Sequence, residues 1–259
     1  MNQFNTKLKG AIIFRAGILA GAALALVSAT SAQFWKKKPS YQQWSVNECR
    51  EMLSQSPWSG EYKIAKVVIE SIGASATGGD PTVEGRETPH VTYRAQFWSA
   101  RPIREAMMRL QQLDPKYSKF TPEEKKKFDD QAAKFIETDF PDTVVVHLSY
   151  TTVRAYSLPL SRYWQSKSAE ELKDYFRLVS EPGHLVPLQV QMQPAAFGGG
   201  AEFQLVFPRM HNGAPIATPS SKSLGIEVSH PGIGGVLPAE RVFIPFPVKK
   251  MLVGNDVIF

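Results

Sequence analysis

Histidine, cysteine, serine and the carboxylates are the side chains that move protons, attack carbonyls or hold metal ions near neutral pH, and spacing turns them into a site. The five histidines, His90, His147, His184, His211 and His230, lie far apart, with none of the short intervals that metal ligands favour. Four of them fall beside expected turns or strand ends, so each reads as a surface or loop residue, and no metal is expected. There is no G-x-S-x-G elbow, H-E-x-x-H helix, P-loop or G-x-G-x-x-G turn after a strand. Gly198, Gly199 and Gly200 run together without a helix start behind them, which suits a flexible turn rather than a phosphate cradle, and no cofactor is expected. Catalytic residues stay unassigned. Were a hydrolytic site assembled from scattered residues, His147, His184 and Asp142 would be its candidates.

Cys49 is the only cysteine, so no disulfide can form within the chain. With Met52 and Leu53 it falls on one helical face, and the sequence places no Lys, Arg or His where it would lower the thiol's pKa. It reads as a small buried hydrophobe. Trp35, Trp44, Trp58, Trp98 and Trp164 could line a groove for a sugar or a peptide, although packing accounts for Trp44.

The elements that would position these residues follow from periodicity. Ser45 with Glu48 three residues on is a capping box, and Trp44 before it can staple onto Cys49. Residues 62–72 are rich in strand formers, and a Gly/Thr/Asp/Pro loop over 73–89 separates them from 91–98, where Val91, Tyr93, Ala95 and Phe97 alternate with polar residues. The two segments are expected to pair. A helix starting at Ser99 carries Ile103, Ala106, Met107 and Leu110 as its buried stripe, with Arg101, Arg104 and Arg109 off it. Thr121, Pro122 and Glu124 open another helix, buried through Phe128, Ala132, Phe135 and Ile136. Its run Lys125, Lys126 and Lys127 is flanked by acids and reads as a solvated face. A strand over 143–151 turns Val144, Val146, Leu148 and Tyr150 to one side and Val145, His147 and Ser149 to the other. Ser168 and Glu171 cap a shorter helix carrying Leu172, Tyr175, Phe176 and Val179.

From residue 181 onward the texture changes, because 10 of the 19 prolines fall there and helical periodicity is lost. Val186, Leu188, Val190 and Met192 alternate with Pro187, Gln189, Gln191 and Gln193. Further alternating rows are Phe203, Leu205 and Phe207, then Leu224, Ile226 and Val228, then Val242, Ile244, Phe246 and Val248, with Asn212-Gly213 and Gly254-Asn255 as turns. Pro245 and Pro247 remove two amides from one side of the last row, which predicts an edge or a strand break. The expected class is α+β: a mixed helix and strand portion over 33–180, then a Pro-rich antiparallel β portion over 181–259, the two forming either separate domains or one shared core.

Residues 1–32 have the layout of a secretory signal: Lys7, Lys9 and Arg15 without an acid, an apolar run over 16–27, then small residues ending at Ala32. Cleavage before Gln33 puts Thr30 and Ala32 at the positions a signal peptidase inspects; Val27 and Ala29 would serve a cut before Thr30. Without those residues the chain holds 27 Lys and Arg against 24 Asp and Glu, so the basic balance is largely the leader's and no nucleic-acid partner is expected. The apolar run is shorter than the roughly 20 residues of a spanning helix, so no stable membrane span is expected after cleavage.

Three groups of residues carry a resemblance. They are Trp44, Ser45, Glu48, Cys49, Leu53, Ser56, Pro57 and Trp58; Phe97-Trp98-Ser99-Ala100 with Pro102 to Ala106; and Val206-Phe207-Pro208-Arg209 with Phe246, Val248, Lys249, Lys250, Met251 and Gly254. Together they resemble a group of exported proteins abundant in Acidobacteria that has no assigned activity, except that Asn255 stands where a lysine-like residue is expected. The resemblance implies export and one co-inherited unit, and no catalytic residue. The expectation is an exported periplasmic or extracellular protein, a non-enzymatic module that binds another protein or an envelope polymer; the alternative is a periplasmic hydrolase.

Overall fold

Strand β2, His90–Phe97, shows the alternation put to use: Val91, Tyr93, Ala95 and Phe97 are fully buried, and Arg94 is exposed on the opposite face. The structure, a computed structural model, describes residues 34–38, 40–65, 89–194, 200–234, 237–253 and 256–259. The expected leader, the loop over 73–88, the 66–72 part of the first strand, Gly198, Gly199, Gly235 and the Gly254-Asn255 turn lie outside the described residues.

On one side β2 pairs with β1, Ser59–Ala65, and on the other with β3, Thr143–Thr152; both pairings are antiparallel. Next come β7, Ala201–Pro208, and β6, Gln189–Pro194, giving a five-stranded sheet in the order β1-β2-β3-β7-β6. A second antiparallel sheet has the order β11-β10-β4-β5, built from Glu240–Pro245, Leu224–His230, Phe176–Ser180 and Gly183–Leu185. Both sheets draw strands from either side of residue 181, and their facing side chains form one core. Phe97 meets Phe246 with ring centroids 4.6 Å apart, and Phe176 meets Phe203 at 5.1 Å. Each such side chain contributes roughly 1.5–3 kcal/mol of transfer free energy, so these rows fix which face of each strand turns inward. The architecture is α+β with antiparallel sheets.

β11 is an edge strand and ends at Pro245; Val242 and Ile244 on it are buried, as are Phe246 and Val248 beyond it, where Pro247 leads into the 3-10 turn Val248–Lys250. The edge β1 runs close by: a Cβ on Gly60 would stand 2.6 Å from Cγ2 of Ile244, so only glycine permits this approach. Asn212 and Gly213, at φ 50 and 79, make the tight turn between β8, Met210–His211, and β9, Ala214–Pro215. β12, Leu252–Val253, pairs with β13, Asp256–Val257.

A short helix α1, Phe34–Lys37, precedes α2, Val46–Gln55, which has the full Ser45–Glu48 capping box and buries Cys49 and Met52 in the shared core. α3, Arg101–Gln112, has Ala100 rather than Ser99 at its N-cap, and the Ser99 hydroxyl instead accepts from the Val145 amide at 3.1 Å. α4, Pro115–Ser118, leads into α5, Pro122–Glu137, whose capping box is that of Thr121 and Glu124. Lys126 and Lys127 are exposed and Lys126 pairs with Asp130 at 2.8 Å, whereas Lys125 is half-buried with its ammonium over the Tyr117 ring.

Three elements differ from the sequence expectation. β6 begins only at Gln189, so of the expected row Val186 and Leu188 are exposed ahead of it and Val190 is buried. α6, Arg154–Gln165, forms despite Pro159, which hid it; Leu160 and Trp164 are buried, the latter edge-on to Phe203 at 5.3 Å. α7 stops at Ala169–Lys173, and Phe176, Leu178 and Ser180 alternate inward along β4 instead of continuing the helix. Pairing with β10 decides between the two periods, which a run this short cannot separate.

Arg104 is buried at 4 % exposure, not on the open side of α3. Its guanidinium donates to the Ile136 carbonyl at 2.8 Å, Thr138 at 3.0 Å, Trp98 at 3.1 Å, and Ser99. It thereby joins the end of α5 to the chain entering α3. Burial lowers its pKa to about 10, with Arg101 adding in the same direction, which still leaves it charged at neutral pH.

Candidate functional site

β3 carries His147 on the outer face of the five-stranded sheet, away from the core. The Trp98 ring stacks on its imidazole, centroids 4.3 Å apart and planes 6° from parallel, leaving the histidine side chain 13 % exposed. His147 Nε2 lies 3.4 Å from Oε2 of Glu202 on β7. That hydrogen bond holds the Glu202 carboxyl below its usual range against the opposing effect of burial. Trp98 is itself held: its indole donates to Oε1 of Gln96 at 3.3 Å, and the Gln96 amide donates to the Leu53 carbonyl.

The other two hydrolase candidates stand elsewhere. His184 is exposed on β5 of the second sheet, and Asp142 is exposed just before β3, its carbonyl accepting from the Arg209 amide at 3.0 Å. Among the described residues no hydrogen bond or ion pair joins any two of His147, His184 and Asp142, and no three His, Cys, Asp or Glu side chains are grouped to hold a metal ion.

The remaining histidines divide. His211 lies beside Gly183, where a Cβ would stand 2.8 Å from its Nε2, and the His90 carbonyl accepts from the Thr152 hydroxyl at 2.6 Å. His230 is not a surface residue: it is 2 % exposed at the end of β10, with Nδ1 2.8 Å from the Tyr93 hydroxyl. Its Nε2 and the nearby Tyr150 hydroxyl are buried without a partner among the described residues. Burial drives the pKa of His230 down to about 4 and those of both tyrosines up. Cys49 is fully buried and its thiol is pushed up to about 12, mainly by burial, so it is no nucleophile in the folded chain.

Register brings together what the sequence shows only in pieces. Gln96, His147, Gln204 and Gln191 stand directly opposite one another across β2, β3, β7 and β6, and Arg94, Ser149, Glu202 and Gln193 form the next row. The outer face is thus a polar surface, and its charges are largely paired within the protein: Arg94 with Glu61 at 3.0 Å, and His147 with Glu202. On β6 and β7 the amides of Gln189, Gln191, Gln193 and Gln204 make no hydrogen bond to any described residue. The alternating glutamines of β6 were visible in sequence as the polar half of a strand; Gln204 and Gln96 join them only through pairing.

Two shallow concavities are formed by described residues. One of about 330 Å³ lies by Arg209, Met210, Pro215 and Phe259, and one of about 410 Å³ runs along the charged side of α5. Among the described residues no helix is long and apolar enough to cross a membrane. Comparison with protein-family models, with curated proteins and with solved structures finds no match for this chain.

Proposed function

We propose that the protein is an exported, non-enzymatic binding module that holds a polymer of the cell envelope on the outer face of its five-stranded sheet. Export is supported by the pattern of residues 1–32 and by the resemblance to exported proteins of Acidobacteria. The observation that carries the binding reading is the outer face itself, where unbonded side-chain amides stand in register across neighbouring strands while the ionisable groups beside them are bonded to each other. Such a surface offers many weak, repeated contacts and no enclosed space in which water could be excluded from a reaction.

Fractionation of the native host tests this. The mature chain, beginning at Gln33, is expected in the washed envelope. Gln191→Lys with Gln204→Lys should release it, whereas Arg241→Glu on β11 of the other sheet should not. Release by neither substitution would sink the reading. Cleavage of an envelope polymer that is abolished by His147→Ala would replace it with the hydrolase.

A further inference from the structure

The chemistry of the outer face also identifies the kind of polymer, and this step rests on the binding reading above. On the half of the sheet formed by β6 and β7, Gln189, Gln191 and Gln193 point outward from alternate positions of an edge strand, and Gln204 stands opposite Gln191. None of these four amides bonds to a described residue, and the three on β6 are exposed. A glutamine amide presents two donors and an acceptor from one neutral group, and a sugar hydroxyl likewise donates and accepts. A row of free amides is therefore complementary to a chain of hydroxyls.

Other partners fit less well. β6 and β7 carry no Lys or Arg within their strands, while Glu202 is present, so a polyanion meets no countercharge here. The cores of protein interfaces are built from aromatic and aliphatic anchors in desolvated pockets. Among the described residues this half of the face offers half-buried Val206 and Pro208 in that role and no aromatic ring, with exposed Leu188 just ahead of β6. At the inner end of the row the stack of Trp98 on His147, fixed through Gln96, bounds the surface; at the other end β6 is the last strand of the sheet, with α7 packed against it.

We infer that the ligand is a neutral, hydroxyl-rich glycan, held across β7 and β6 by hydrogen bonds to the amides of Gln189, Gln191, Gln193 and Gln204.

Affinity electrophoresis of the full chain tests this with three soluble neutral polymers, a β-linked glucan, an α-linked glucan and a chitin derivative, against polygalacturonate as the anionic control. At least one neutral polymer is expected to retard the protein, equally at low and high salt, because no ion pairs are formed. Gln191→Ala with Gln204→Ala should weaken that retardation by on the order of tenfold. Unchanged thermal unfolding shows that the variant is folded. Gln191→Glu with Gln204→Glu keeps the side-chain size and should weaken it at least as much. Retardation by polygalacturonate alone, or by a neutral polymer but unaffected by both double variants, overturns the inference. No retardation by any neutral polymer, with envelope retention still lost in Gln191→Lys/Gln204→Lys, overturns the glycan but leaves the binding face standing; unchanged envelope retention removes both.

Discussion

The Tyr93 hydroxyl stands 2.8 Å from Nδ1 of His230, and this contact crosses between the two sheets, from the second strand of one to the last residue of β10 in the other. Both residues are essentially inaccessible. Burial lowers the folded-state pKa of His230 to about 4 from its ordinary 6.5, so in between the unfolded chain binds a proton that the folded chain does not. The stability held by neutral His230 is present above about pH 6.5 and is lost as the pH falls toward 4, by about 2–3 kcal/mol. His230→Gln keeps an acceptor for Tyr93 but cannot titrate. The stability difference between wild type and this variant, from urea midpoints, should shrink or change sign between pH 7 and pH 4.5; a constant difference would show that His230 already titrates normally in the folded chain.

The approach of β1 to β11 gives a second expectation. Cγ2 of Ile244 branches from Cβ and cannot swing away as a chain end would, so the Cβ added by Gly60→Ala must displace backbone. The cost should be about 1–3 kcal/mol. With Ile244→Ala, which alone costs about 2–5 kcal/mol, the same substitution at Gly60 should become nearly neutral. A double-mutant cycle reads this coupling, and equal costs in both backgrounds would refute the close approach.

Arg104 reaches four carbonyls with one planar group, which an ammonium on a flexible stem cannot do. Arg104→Lys should therefore destabilise the fold by about 2–4 kcal/mol. Hydrogen exchange should show the end of α5 and the residues before α3 losing protection together. A change in only one of the two would mean that Arg104 does not join them.

Pro245 ends the edge strand β11 and Pro247 follows two residues beyond it, so two missing amides deny a further strand its partners along this edge. Replacing both with Thr should leave the monomer folded and raise its tendency to self-associate, measured by light scattering against concentration. No rise would remove the anti-pairing role from these prolines.

What could be read from the sequence was whatever depends on near neighbours. The capping boxes of Ser45, Thr121 and Ser168 close over three residues, and the inward rows of β2, β3, β7 and β10 follow from alternation alone, because burying one face of a strand requires it. The edge position of β11 followed from two missing amides. Cys49 was legible as a buried residue for the same local reason.

Tertiary structure decided whatever depends on a partner distant in the chain. Arg104 is spaced to face water, yet it is buried because carbonyls at the end of a helix more than thirty residues on need donors. His230 ends a strand, where exposure is the ordinary outcome, but sheet packing sets Tyr93 opposite its ring. Phe176 to Ser180 fit either period until β10 pairs with them. Gln96, Gln204 and Gln191 are separated by more than a hundred residues at the extremes and become a surface only through register, which a sequence specifies for each strand's faces but not for the order in which the strands lie side by side.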